Sequence, residues 1–136
     1  MNIFLPLELN FDSNLEQNIA ANFKSIQEKF KSLDNVVNNA GYGLLGFVEE
    51  TSLKELEQQF FVNVYAPFCV AKEALKIMRP LALKAGGNTD NIKARIFNIS
   101  SIGGFRVSEL STPYAMSKFA LSALSEGLIW ICKTLA

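Results

Sequence analysis

The chain has 136 residues, and its 13 basic and 13 acidic side chains give a formal net charge of zero. Hydrophobic residues make up 49% of it, which is typical of a globular protein and excludes a disordered one. No basic excess indicates a nucleic-acid partner, and the lack of histidine excludes Ser-His-Asp catalysis and most zinc sites. We therefore expect one domain over residues 1–136, with no metal site.

The sequence also bears on the compartment. The first residues lack the basic region and the apolar core of a signal peptide, and the longest apolar runs are too short to span a membrane. Cys69 and Cys132 stand alone in apolar surroundings without metal-ligand spacing, which is typical of buried, reduced thiols. We predict a cytoplasmic protein with no membrane partner.

The first part of the chain predicts a strand, a helix and a second strand. Residues 3–9 form an apolar run that contains Pro6, which favours an edge or irregular strand. Ser13 and Glu16 have the spacing of a capping box, so a helix should follow. Apolar residues then recur every three or four positions and should form its buried face: Leu15, Ile19, Phe23, Ile26 and Phe30. Residues 33–39 are the second strand.

The second part predicts a long helix, a third strand and a final helix. Ser52 and Glu55 form another capping box, and Pro67 is expected to kink the helix that follows. Its apolar stripe consists of Leu56, Phe60, Val64, Phe68, Ala71, Leu75 and Met78. A strand at 95–100 and a helix from about Pro113 to the C-terminus complete the order. Alternating strands and helices predict parallel strands and the α/β class.

The candidate chemistry begins with a tyrosine and a lysine near the start of the last helix. Tyr114 and Lys118 are four residues apart and so project from one helical face. A free phenol holds its proton tightly at neutral pH, and a nearby ammonium favours the phenolate. Ser101 precedes Tyr114 by 13 residues. A surface tyrosine beside a solvated lysine is the alternative, and this spacing alone does not separate the two.

Two further segments strengthen the pattern. Asn38-Asn39-Ala40-Gly41 follows an apolar run, and Asn63 lies inside a helix, where asparagine competes with the backbone for hydrogen bonds. Together with Asn98-Ile99-Ser100-Ser101 and Tyr114-Ala115-Met116-Ser117-Lys118, these segments resemble the classical short-chain dehydrogenase/reductase family.

The resemblance implies an NAD(P)-dependent oxidoreductase that passes hydride between nicotinamide and a small carbonyl or alcohol substrate. Tyr114 would transfer the proton, and Ser101 would donate a hydrogen bond to the substrate oxygen. Lys118 would hydrogen-bond the nicotinamide ribose, and Asn63 would hold a water in the proton relay. Ser100 should point to the opposite face from Ser101, although a shift of one residue would exchange their roles.

The resemblance also assigns residues to cofactor binding. Asn39, Ala40 and Gly41 would lie beside the adenosine half of NAD or NADP. Asn10 stands roughly where family members often carry an aspartate that touches adenine. Tyr114 and Lys118 would bind at the nicotinamide end, and the choice between NAD and NADP stays open.

The chain departs from the family pattern at both ends. It contains no Thr-Gly-x-x-x-Gly-x-Gly segment to cradle a pyrophosphate. We therefore expect a partial Rossmann-like, doubly wound sheet of three strands and three helices, without the first βαβ unit and the C-terminal strands. The alternative hypothesis is an inactive, truncated fragment that at most associates with other proteins. The resemblance further implies a homodimer through helices 52–80 and 113–136.

Overall fold

A computed structural model describes residue 6 and residues 14–30, 32–84 and 94–134. In these residues the regular elements are α1 (Leu15–Lys29), β1 (Asn35–Asn38), α2 (Leu53–Phe60), α3 (Ala66–Lys84), β2 (Arg95–Asn98) and α4 (Thr112–Thr134). A π-helical segment, Phe61–Tyr65, joins α2 to α3, and the two correspond to the single long helix expected from the sequence. The predicted strand at 3–9 and Asn10 lie outside the described residues, apart from Pro6.

The described strands form a parallel pair. Asn35 lies opposite Arg95, and Asn38 lies opposite Asn98. This pairing and the order of the elements confirm the α/β class. Both strands are shorter than predicted, at 35–38 and 95–98, because the chain leaves the ladder where the two asparagines meet. There the Asn38 side-chain amide donates to Asn98 Oδ1 at 2.8 Å.

The core lies between α1, α3 and one face of this sheet. On α1 the buried side chains are Leu15, Ile19 and Phe23, which confirms the predicted face at those positions, and Ile26 and Phe30 are partly buried. The side chains of α3 that pack against them are Ala66, Val70, Ala74 and Met78. Val36 and Ile96 extend the contact from the sheet. Apolar burial of this kind is the main favourable contribution to folding.

The two predicted capping boxes have different outcomes. At α2 the prediction is confirmed, since Ser52 Oγ accepts from the Glu55 N–H at 3.3 Å and the Glu55 carboxylate accepts from the Ser52 N–H at 3.0 Å. At α1 it is wrong, because the N-cap is Asn14, one residue after Ser13. Glu16 instead forms a salt bridge with Lys72 of α3, whose hydrogen bond lowers the pKa of Glu16. The pair is exposed, so its contribution to stability is small.

The π-helical segment changes which side chains of the predicted long helix are buried. The Ala66 N–H donates to the Phe61 carbonyl five residues back, so the regular α-helical hydrogen bonding is interrupted just before Pro67, the residue at which a kink was predicted. The wider turn changes the rotational phase of the helix. Phe68, predicted to be in the apolar stripe, is 54% exposed, whereas Gln59 and Asn63 are fully buried.

The opposite face of the sheet is uncovered in the described part of the chain. Val37 and Phe97 lie side by side on this face and are both about half exposed. Parallel sheets in α/β proteins usually have both faces covered, so the described residues form part of such a domain. None of the described helices is long and apolar enough to cross a membrane.

The packing of α1 can be tested by cutting back one core side chain. Ile19 is fully buried, so Ile19→Ala should lower the free energy of unfolding by about 2–5 kcal/mol. Ile129 on α4 is 55% exposed, and Ile129→Ala should change it by less than about 0.5 kcal/mol. Urea denaturation followed by circular dichroism measures both, and equal effects would contradict the described core.

Candidate active site

The candidate residues gather beyond the carboxyl ends of the two strands. The chain leaves β1 into the loop at 39–47 and leaves β2 into the segment at 99–111, which leads into α4. In open α/β sheets this edge is where ligands bind. Tyr114 and Lys118 lie in the first turns of α4, and Asn63 reaches the same region from the π-helical segment.

The ring of Tyr114 lies between two glycines. A Cβ atom added at Gly103 would be 3.2 Å from Tyr114 Cε1, and one added at Gly43 would be 3.7 Å from Tyr114 Cδ2. The contact at Gly103 is too tight for a side chain unless the ring moves, so the absence of a Cβ permits this approach. Ser101 Oγ is 3.7 Å from the same added atom and accepts from the Gly103 N–H at 3.2 Å. Ser101 and Tyr114 therefore flank one short piece of backbone.

Lys118 and Asn63 meet in the same way at Gly41. A Cβ atom there would be 3.1 Å from Asn63 Oδ1 and 3.5 Å from Lys118 Nζ. Lys118 is 6% exposed, and its ammonium donates to the Ile99 carbonyl at 2.9 Å. The same Nζ stands 5.8 Å from the centroid of the Tyr114 ring. The positive charge is thus held near both the end of β2 and the phenol.

Asn63 links the loop after β1 to α4. Its Oδ1 accepts from the Tyr42 N–H at 3.1 Å, and its Nδ2 donates to the Tyr42 carbonyl at 2.9 Å. The same Nδ2 also donates to Ser117 Oγ at 2.9 Å, and that hydroxyl donates to the Tyr114 carbonyl at 2.7 Å. Asn63 and Ser117 are both fully buried. The polar side chain inside the helix is therefore satisfied by tertiary hydrogen bonds.

The two neighbouring serines face different ways. Ser100 Oγ lies 3.3 Å from Ser122 Oγ of α4, and Gly104 packs tightly against both hydroxyls. Ser101 turns toward Gly103 and Tyr114. The expected opposition of the two serines is found, even though β2 ends at Asn98.

The remaining cofactor candidates lie at the end of β1. Asn39, Ala40 and Gly41 are exposed there, and Asn10 is outside the described residues. The side chain that bridges the two strands is Asn38, whose partner Asn98 in turn donates to Ser125 of α4 at 2.8 Å.

Sequence reasoning missed several neighbours of the site. Gln59 lies four residues before Asn63 and donates to the same Tyr42 carbonyl at 3.1 Å. An amide pair at this spacing inside an apolar stripe was the available signal. Ser117 lies between Tyr114 and Lys118 in the sequence, but its spacing from them did not indicate that it would pair with Asn63. The contacts of Gly43 and Gly103 with Tyr114 depend on tertiary structure and left no local signal.

Residues 6–130 of the chain match the family model of the short chain dehydrogenases. The chain belongs to this family. An uncharacterized oxidoreductase of Schizosaccharomyces pombe is 35% identical over 123 residues, which cover 90% of this chain and 39% of that protein. A probable short-chain type dehydrogenase/reductase of Helicobacter pylori, VdlC, is 40% identical over 118 residues, which cover 86% of this chain and 38% of that protein.

Solved structures show the same likeness. A short-chain dehydrogenase from Streptomyces avermitilis superposes with a TM-score of 0.79 and 28% identity, over 96% of this chain and 43% of that one. ElxO with NADP bound superposes equally well, with 28% identity over 91% of this chain and 46% of that one. The family and the partial Rossmann-like fold expected from the sequence are confirmed. The chain spans less than half the length of these relatives.

The contact between Gly103 and Tyr114 is open to a direct test. Gly103→Ala should displace the ring, because the new methyl group would lie 3.2 Å from Cε1. With labelled tyrosine, the ring resonances of Tyr114 should shift, while those of Tyr65, which is half exposed and whose ring neighbours Phe60 and Phe61, should stay in place. Gly127→Ala on α4 is the matched control, since an added Cβ there meets nothing within 4 Å. Unchanged Tyr114 resonances in Gly103→Ala would contradict the described contact.

Proposed function

We propose that the chain carries the proton-transfer half of an NAD(P)-dependent oxidoreductase site that acts on a small carbonyl or alcohol substrate. The observation that supports it is the convergence of Ser101 and Tyr114 at Gly103, with Lys118 and Asn63 adjoining at Gly41. A phenol, a hydroxyl and an ammonium within one cluster suit a reaction in which negative charge develops on a substrate oxygen.

The residues at the strand ends fit a nicotinamide cofactor. Gly41 has no side chain to cover the backbone next to Lys118 Nζ. This nitrogen is a cationic donor that can reach a ribose hydroxyl. The similar ElxO structure holds NADP, and the family membership of this chain favours the same class of cofactor. When bound, nicotinamide supplies or accepts the hydride.

The proposed roles follow from the positions of the side chains. Tyr114 exchanges a proton with the substrate oxygen, and Ser101 donates a hydrogen bond to that oxygen. Lys118 places its positive charge 5.8 Å from the centroid of the Tyr114 ring and hydrogen-bonds the cofactor ribose. Asn63 supports the proton relay and fixes the loop after β1. Asn39, Ala40 and Gly41 would lie beside the adenosine half, and the assignment of Asn10 to adenine stays a prediction.

A titration and a turnover assay test these roles. The chain should bind NADPH in a calorimeter, and Lys118→Ala should weaken the binding at least about tenfold, since a charged hydrogen bond is worth about 1.5–3 kcal/mol. Tyr114→Phe should keep the binding and lower the reduction of a panel of carbonyl compounds by about 100-fold or more.

Exposed residues of the same types serve as controls. Lys54→Ala and Tyr65→Phe should behave like the unchanged chain. Full turnover by Tyr114→Phe would disprove its role. A folded chain that binds neither NADPH nor NADH would instead support the alternative of an inactive fragment that acts by association.

We also propose a homodimer through the helices at 52–80 and 113–136. A groove of about 590 Å³ runs between α3 and α4, and its apolar lining includes Phe68, Leu75, Leu124 and Leu128. Phe68 is 54% exposed in the described chain, a large apolar surface that a partner helix would cover. The single domain and the cytoplasmic location stay predictions.

Light scattering tests the dimer. The chain should run at twice its mass of 15.1 kDa, and Phe68→Glu should convert it to the monomer, because a buried, unpaired charge opposes association. Ile102→Glu changes an equally apolar residue that is 81% exposed and lies outside both helices, so it should leave the dimer intact. A monomeric, folded starting chain would contradict the proposal.

A further inference from the structure

Gln59 is a buried polar residue that the proposed mechanism does not use. It lies in the last turn of α2 and is 0% exposed. Its Nε2 donates to the Tyr42 carbonyl at 3.1 Å. Its Oε1 is buried and has no hydrogen-bond partner among the described residues. The Nε2 group of this amide is therefore hydrogen-bonded to the loop after β1, whereas its Oε1 is not hydrogen-bonded.

The Tyr42 carbonyl is the shared acceptor of two amides. Asn63 Nδ2 donates to it at 2.9 Å, so the two donors occupy both lone pairs of one oxygen. Asn63 Oδ1 also accepts from the Tyr42 N–H. Both backbone polar groups of Tyr42 are therefore hydrogen-bonded. The backbone of the loop cannot rotate here without breaking more than one hydrogen bond.

The residues on either side of Tyr42 are the ones that meet the catalytic candidates. Gly41 adjoins Lys118 Nζ, and Gly43 lies against the ring of Tyr114. A shift of the Tyr42 carbonyl would move both glycines. The donor on Gln59 therefore acts on the site through the backbone, without touching substrate or cofactor.

Stability alone does not account for this glutamine. A buried oxygen left without a donor is costly, and an apolar side chain of similar length would avoid that cost. Residues that lower stability at a site are commonly those that serve its function. We propose that Gln59 is a positioning residue: its N–H fixes the Tyr42 carbonyl and thereby sets the backbone of Gly41 and Gly43 against Lys118 and Tyr114. The catalytic consequence rests on the proposed function, whereas the fixing of the loop does not.

Amide hydrogen exchange in the 136-residue chain tests the fixing of the loop. Gln59→Met keeps the length of the side chain and removes the donor. We expect the Tyr42 N–H to exchange at least about tenfold faster relative to its intrinsic rate, with a urea midpoint equal to or above that of the unchanged chain. Gln58→Met, one residue earlier and exposed, is the matched control and should change neither quantity.

Gln59→Glu separates loss of the donor from loss of shape. A protonated carboxyl can donate to the Tyr42 carbonyl, and an ionised one cannot. Protection of the Tyr42 N–H should therefore resemble that of the unchanged chain at acid pH and fall as this carboxyl ionises. If Gln59 only filled space, ionisation of this buried carboxyl would lower the protection of all amides together, and that of Tyr42 would not fall more than the rest.

The outcomes can be told apart. Unchanged protection of Tyr42 in Gln59→Met, or a loss shared equally by all amides, would overturn the inference. In a chain that binds NADPH, loss of Tyr42 protection should be accompanied by several-fold weaker binding; intact binding would overturn the positioning role. A chain that binds no nucleotide would count against the proposed function, and the Tyr42 exchange rates would still decide whether Gln59 fixes the loop.

Discussion

The side-chain amide of Asn63 joins the three segments on which the candidate site depends. It forms hydrogen bonds with the backbone of Tyr42 in the loop after β1 and with the hydroxyl of Ser117 on α4. Asn63 itself lies in the π-helical segment between α2 and α3. Both Asn63 and Ser117 are shielded from water, so each unmade bond would leave a buried polar group unpaired. A movement of any one of these three segments would therefore break buried hydrogen bonds of Asn63.

Glycines at the candidate site also contribute to its geometry, because they have no side chain. The backbone at Gly41, Gly43 and Gly103 comes close to the candidate site side chains because these residues have no Cβ atom. Rigid hydrogen bonding and close backbone approach together keep the phenol, the hydroxyl and the ammonium in fixed relation. A fixed geometry favours reaction between neighbouring groups, as the proton transfer proposed for Tyr114 requires.

Local patterns in the sequence predicted the elements well and their details less well. The apolar spacing of α1 and the capping box at Ser52 act within a few residues, so they could be predicted directly. The exposure of Phe68 could not, since it follows from a change of helical phase at Phe61–Tyr65 that periodicity alone does not reveal. The candidate site residues are recognisable in the sequence by their resemblance to the family motifs. Their partners, such as the Ile99 carbonyl beneath Lys118, depend on how distant segments meet.

The π-helical segment makes the length of this helical region as important as its composition. It accommodates about one more residue than a regular helical turn would, and Val70 and Ala74, which lie outside the predicted stripe, pack in the core in the resulting phase. Deletion of a single residue within 61–65 would rotate the side chains of α3 by about 100° around the helix axis. Substitutions on the exposed side of this region are therefore easier to accommodate in evolution than a change of one residue in its length.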